Sequence, residues 1–373
     1  MKSILVLYPG FPHYRNGILD KLIDNKEIQF TFIGDKENYV KSIKPYDFKS
    51  YPHFYHIKSG RIGSIVWHRG LFKHLISKKY DGALVHSSPY YITIFVGVLI
   101  LKLRKIKIIN WCHGILTQDK NLKNYLYYRF YTVFDKLLLY GSYAKKNLSD
   151  YGYPENRMTV IYNSLDYKNQ LPYRNSLTPQ ELFEFKKDFF REPKNPQLIF
   201  IGRLTIQKKL HQLIEAVKLL KSQKTDVNLL IVGEGEIKEE LVSLVQQYNL
   251  TNAVLFYGAS YNEESNYKLI ASSDCCVSPG EVGLTAMHSL MYGTPVISHN
   301  DMDSQMPEVE AIVPTYNGYL YEKDKIEDLC KKIKKLIALK TALGDQLSKN
   351  CYEIMDKRYN PSNQLEIILK TFE

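Results

Sequence analysis

The chain has 373 residues, 45% of them apolar, which is enough material for two hydrophobic cores rather than one. A formal charge of +11 directs attention to anionic partners, yet the cations are scattered along the whole chain. No zinc-ligand spacing, helix-turn-helix or aromatic RNA-binding signature occurs, which sets nucleic acid aside. The five cysteines form no CxxC pair and no even framework, so disulfides are not expected and a reducing cytoplasm is the expected setting.

In chain order, residues 4–8 read as the first strand, and the apolar run is too short for a signal peptide. The loop that follows carries Gly10, His13 and Arg15, candidates for contact with an acceptor or a donor phosphate. Strands are predicted at 28–33, 83–86, 106–110, 137–140 and 160–162, alternating with helices. Residues 90–101 form the most apolar stretch, well short of the roughly 20 needed to cross a bilayer, and are expected as a buried helix. His113, just past the strand at 106–110, faces any cleft at the strand ends; a packed structural histidine is the competing reading.

Residues 164–196 break the rhythm with four prolines and one expected helix near 179–190, and the interdomain connection is placed there, at 171–196. The pattern restarts with a strand at 198–202. Leu210, Leu213, Ile214, Val217 and Leu220 then recur at helical spacing on one face. Further strands are expected at 229–232, 254–257, 275–278 and 295–298, and a largely helical tail follows. The expected domains are residues 1–170 and 197–355, with a final helix over 356–373 packing back on the first domain.

Two turns carry the chemistry. Gly202-Arg203-Leu204 ends a strand, and Lys208 is expected to open the next helix, so both cations reach one point and can grip a diphosphate; solvated lysines at a helix start are the alternative. Gly280-Glu281-Val282-Gly283-Leu284-Thr285 also leads from strand to helix, which offers backbone amides to an anion and Glu281 to sugar hydroxyls. Many such turns are merely structural.

These turns, with Ser278-Pro279 before the second and Gly293-Thr294-Pro295-Val296-Ile297 after it, resemble the nucleotide-sugar-binding half of glycosyltransferase family 4. Tyr162-Asn163-Ser164 and Gly233-Glu234-Gly235 extend the resemblance over most of the chain. It implies the α/β fold called GT-B, two Rossmann-like doubly wound domains facing each other across a cleft, and transfer with retention of anomeric configuration. The implied catalytic residues are Arg203, Lys208, His113 and Glu281, with His113 near the transferred sugar. The implied donor-binding residues are Gly202, Gly280, Val282, Gly283, Leu284, Thr285, His288 and Asn163.

One departure stands out. Where the family places two glutamates, this chain has Gly280 and His288, so Glu281 and a neutral His288 are expected to take over the donor sugar and the ribose. No metal and no cofactor are expected, the nucleotide sugar being a substrate. The acceptor implied is a glycan or lipid-linked oligosaccharide of bacterial surface polysaccharides. The basic and aromatic first half also admits an anionic inner membrane surface as partner, each basic residue there contributing about 1 kcal/mol, although a solvated helix with core tyrosines explains it equally. Two rivals remain: an epimerase, for which no proton-abstracting carboxylates can be named, and a catalytically inactive homologue that binds nucleotide sugar or a partner protein.

Overall fold

The computed structural model describes residues 1–37, 44–49, 51–174 and 176–373. Two compact units result: Met1–Tyr167 with Asn360–Glu373, and Lys168–Tyr359.

The first unit is built on β1 (Lys2–Gly10), β2 (Ile28–Asp35), β3 (Phe54–His56), an antiparallel hairpin of β4 (Lys58–Ile62) and β5 (Ile65–Arg69), then β6 (Gly82–Val85), β7 (Lys107–Cys112), β8 (Lys136–Leu139) and β9 (Met158–Val160). Its main sheet runs β3-β2-β1-β6-β7-β8-β9, and every pair is parallel. The continuous Val, Ile and Leu runs explain this: Leu5, Leu7, Ile108, Leu137 and Leu139 on one face, and Ile4, Val6, Ile109 and Leu138 on the other, are all buried. The last helix, Pro361–Phe372, closes the second face with Ile368 and Phe372, capped at its start by the Asn360 side chain. Gln364 fixes it further, accepting from Ser164 Oγ at 2.6 Å and donating to the Tyr162 carbonyl at 2.8 Å.

The second unit holds β10 (Gln197–Ile201), β11 (Asn228–Val232), β12 (Val254–Gly258), β13 (Cys275–Ser278), β14 (Val296–His299) and β15 (Gly318–Tyr321), all parallel in the order β12-β11-β10-β13-β14-β15. The stripe Leu210, Leu213, Ile214, Val217 and Leu220 of the helix Leu210–Ser222 is buried throughout. Residues 176–196 pack in this unit, with Lys186 and Lys340 both salt-bridged to Asp274.

Three differences from expectation have clear causes. Lys208 does not open a helix: it ends a 3-10 turn, Ile206–Lys208, and Lys209 at φ 51° breaks the chain before the α-helix begins at Leu210. Strands β3, β4, β5 and β15 were not anticipated because β4, Lys58-Ser59-Gly60-Arg61-Ile62, lacks an apolar run and the other three hold runs of only two or three apolar residues. The helix Ile92–Leu103 is only half buried: Ile94, Val98 and Leu101 face the core, while Ile92, Val96, Leu99 and Leu103 are exposed at helical spacing. Among the described residues no helix is long and apolar enough to cross a membrane.

In both sheets the order reverses once, between β1 and β6 and between β10 and β13. At such a point adjacent strand ends send their loops in opposite directions and open a crevice. In the second unit the crevice edges are locked by backbone packed on backbone. A Cβ on Gly233 would stand 1.9 Å from the Gly202 carbonyl oxygen, one on Gly235 2.1 Å from that of Leu204, and one on Gly280 1.9 Å from that of Gln207. Gly280→Ala must therefore push the two loops apart. We expect a loss of roughly 2–3 kcal/mol in chemical denaturation of the second unit, against less than about 0.5 kcal/mol for Lys331→Ala, an exposed position on the helix Ile326–Leu343.

Candidate active site

In the second unit, the loop after β10 and the turn after β13 are stitched together. Gly280 N–H donates to the Lys208 carbonyl at 3.1 Å, Leu204 N–H to the Glu234 carbonyl at 3.0 Å, and Thr285 Oγ1 to the Ile201 carbonyl at 3.0 Å. Lys208 Nζ turns into this junction, donating to the Glu281 carbonyl at 2.7 Å and lying 3.5 Å from Glu281 Oε1. Burial lowers its pKa, Glu281 opposes that, and the nearby Arg203 charge adds to it, so the two cations are within electrostatic reach of each other. Arg203 itself is exposed and forms no ion pair among the described residues.

The turn offers fewer amides than its sequence suggests. Gly280 N–H is spent on Lys208, and Val282 N–H donates to Gln305 Oε1 at 3.0 Å. The first-turn amides of Leu284 and Thr285, at the start of the helix Leu284–Met291, have no backbone acceptor among the described residues. They form the positive end of that helix, beside Lys208.

His288 lies one turn further along this helix. Its Nε2 is bonded at 2.8 Å to Glu263 Oε1, which also accepts from Tyr292 Oη and, at 3.0 Å, from Gln170 Nε2. Burial alone would raise the Glu263 pKa, but these donors bring it down to about 2, so the group is a fixed carboxylate. His288 therefore spends one ring nitrogen on Glu263 and keeps Nδ1. The carboxylate bonded to His288 comes from the Asn262-capped start of the helix Glu263–Ala271. Sequence reasoning missed Glu263 because it precedes the glycine turn by more than fifteen residues.

The crevice of the first unit is a cavity of about 500 Å³, walled by the ends of β1, β6 and β7 and by the helix Leu122–Tyr131. Gly10, Arg15 and His113 line it; His13 does not, being exposed with Nδ1 3.1 Å from the Lys44 carbonyl. Arg15 is 7% exposed, its guanidinium carbon 4.8 Å from the Trp111 ring, 5.2 Å from Tyr140 and 5.4 Å from Tyr8. His86, unnoticed in the sequence although it follows β6 directly, stacks on Tyr8 at 4.9 Å and sits 6.4 Å from His113. Its Nδ1 is 2.8 Å from the Trp111 carbonyl; a carbonyl only accepts, so Nδ1 carries the proton and Nε2 is an acceptor. Asn163 also belongs to the first unit, with Oδ1 accepting from Ser164 N–H, rather than to the unit that holds the other donor candidates.

Comparisons with known proteins agree with this division. The family model "Glycosyltransferase Family 4" matches residues 29–169 and "Glycosyl transferases group 1" matches residues 183–354. An uncharacterized glycosyltransferase of Methanocaldococcus jannaschii, MJ1607, is 28% identical over 191 residues, covering 50% of this chain and 47% of that protein. Glycogen synthase of Francisella tularensis subsp. tularensis is 29% identical over 158 residues, covering 39% and 31% respectively. The chain thus matches about half or less of the length of these curated relatives. Among solved structures, Anabaena HepE in complex with UDP superposes with a TM-score of 0.73 at 17% identity, covering 100% of this chain and 99% of that one. The lipopolysaccharide outer core galactosyltransferase WaaB, in apo form, gives 0.68 at 16%, covering 100% of both.

Two parallel-sheet Rossmann-like units with these full-length neighbours define the GT-B fold. The chain belongs to the glycosyltransferases of the family 4 type, its two halves matching that family's two domain models in order.

Both cavity histidines are held neutral. Loss of water around the rings, then the Arg15 charge, lowers His86 to about 3 and His113 to about 4, from an ordinary 6.5. The native state thus binds fewer protons than the unfolded chain between these values. The stability the two rings confer is complete above about pH 6.5 and is lost as pH falls towards 4. In a ¹H–¹⁵N imidazole titration we expect His113 to stay neutral down to about pH 5; a midpoint near 6.5 would show a solvated ring.

Proposed function

We propose that this protein is an active glycosyltransferase that moves a hexose-type sugar from a nucleotide diphosphate donor to a glycan acceptor, with retention of configuration. The observation that carries the reading is Lys208. Its ammonium is held by the Glu281 carbonyl against the open first turn of Leu284–Met291, with Arg203 close by, so two cations and a helix N-terminus converge where strand order reverses.

In this reading the diphosphate of the donor lies against Arg203, Lys208 and the Leu284 and Thr285 amides. As the sugar bond to the diphosphate breaks, negative charge grows on the departing oxygen. Prearranged cations stabilise that charge without reorganising, which makes the catalysis mainly electrostatic. The cation pair supplies the charge stabilisation a divalent ion would otherwise give, so metal-independent turnover is expected. Glu281 bonds a donor-sugar hydroxyl, and Glu263, aligned by His288, takes the ribose hydroxyls that a glutamate at position 288 would otherwise hold. In the first unit, His113 with its neutral ring serves the transferred sugar, and the cavity holds the acceptor.

HepE is seen in complex with UDP and with UDP-glucose, which favours a uridine donor here, and WaaB is a lipopolysaccharide outer core galactosyltransferase, which favours a surface-polysaccharide acceptor. A lipid-linked acceptor on an anionic bilayer fits the exposed apolar side chains of the first unit. Ile92, Val96, Leu99 and Leu103 lie on one helix, and Phe72 and Ile76 on the neighbouring helix Leu71–Ser77 that packs against it, with Lys73, Lys102 and Arg104 among them. The inactive-homologue reading draws only on Gly280 and His288, and Glu263 weakens it.

The test is release of free nucleotide from a panel of UDP- and GDP-sugars, with a membrane lipid extract as acceptor. We expect release from one donor that depends on the extract and falls about 10²–10³-fold in Arg203→Ala. Binding of a nucleotide sugar without turnover across the acceptor set would instead establish the inactive homologue.

A further inference from the structure

We propose that the acceptor enters the first unit's cavity with an anionic group, a phosphate or a carboxylate, and that Arg15 holds that group. The inference rests on the transferase reading above and adds the chemical class of the acceptor to it.

Arginine stays protonated in proteins, and a charge removed from water without a counter-charge is costly. Arg15 is more than nine-tenths buried, yet its neighbours are neutral: three aromatic rings, and the hydroxyls of Tyr8 and Tyr140, to which it donates. Among the described residues no carboxylate forms an ion pair with it. The cavity wall repeats this bias, since its lining includes no Asp or Glu and two cations, Arg15 and Lys123. His86 and His113 on the same wall are neutral rings and supply no counter-charge.

Ser87 supplies a second, independent observation. It lines the cavity, is 2% exposed, and its Oγ has no hydrogen-bond partner. A planar five-donor fork, a buried hydroxyl and a peripheral lysine, with no competing carboxylate, suit an oxyanion. Tyr14, Tyr91 and Tyr127 on the same wall give aromatic faces for a sugar ring, and about 500 Å³ falls in the size range of small-molecule sites.

The experiment is calorimetric titration of the full chain with glucose 6-phosphate, glucuronate and glucose at millimolar concentration, and separately with UDP. Wild type, Arg15→Met and Arg203→Ala are compared, with thermal melting of each. We expect both anionic sugars to bind wild type at least about tenfold more tightly than glucose. Arg15→Met should cut their affinity by at least about tenfold, leave UDP binding unchanged, and keep or raise the melting temperature, because it removes a buried charge that lacks a counter-ion.

Equal affinity for glucose and its anions overturns the proposal on wild-type protein alone, whether or not the variant folds. So does the absence of heat from either anion. A lower melting temperature with affinity retained would reduce Arg15 to a structural cation over aromatic rings. Sugar-phosphate binding abolished by Arg203→Ala would assign the anion to the donor site. Failure of the transferase reading itself would show separately, as nucleotide release from no donor in the panel of UDP- and GDP-sugars.

Discussion

Everything in the second unit's site depends on three places where one backbone lies directly against another. Gly233, Gly235 and Gly280 leave no room for a Cβ, and so the loops that follow β10, β11 and β13 pack as bare peptide. That contact brings the Lys208 carbonyl to Gly280 N–H and the Lys208 ammonium to the Glu281 carbonyl. A side chain at Gly280 would push the Gln207–Lys208 backbone away from the turn that leads into the helix Leu284–Met291, and one at Gly233 or Gly235 would part the loops after β10 and β11. The glycine at 280 thereby sets how closely a charge can approach a helix N-terminus, and electrostatic interaction depends steeply on that distance.

The two units share a topology and use it differently. At its strand reversal the second unit presents backbone amides, the exposed Arg203 and the largely buried Lys208, an arrangement in which charge is spread over several donors. The first presents side chains: stacked Tyr8 and His86, Trp111 edge-on to Tyr8, and a guanidinium among them. Aromatic walls confer shape and stacking for a sugar ring, while a single buried cation confers one strong directional contact. Neutral histidines are consistent with this division, because burial beside Arg15 penalises any further positive charge.

Much of this was legible in the sequence where physics is local. Short β-branched apolar runs bounded by polar or glycine residues, such as Leu198-Ile199-Phe200-Ile201, read as strands, and the spacing of Leu210 to Leu220 as one helix face. The glycine turns marked where the loops after β10 and β13 meet. What stayed hidden was set by tertiary partners. The loop Ile206–Lys208 was read as a helix start because nothing local reveals that Lys209 adopts a left-handed backbone. Glu263 carries no motif, and only the fold brings it to His288. The helix Ile92–Leu103 is apolar all round, so composition could not tell its exposed face from its buried one.

The central claim is that the glycine-packed loops after β10 and β13 are where the donor's diphosphate is held. Hydrogen–deuterium exchange of the full chain with and without saturating nucleoside diphosphate tests it most directly. The account predicts slowed exchange across residues 202–209 and 280–286, with Leu284 and Thr285 amides among the most protected, and little change at the Ile92–Leu103 helix. Protection confined to other segments, with these two loops exchanging as before, would contradict it.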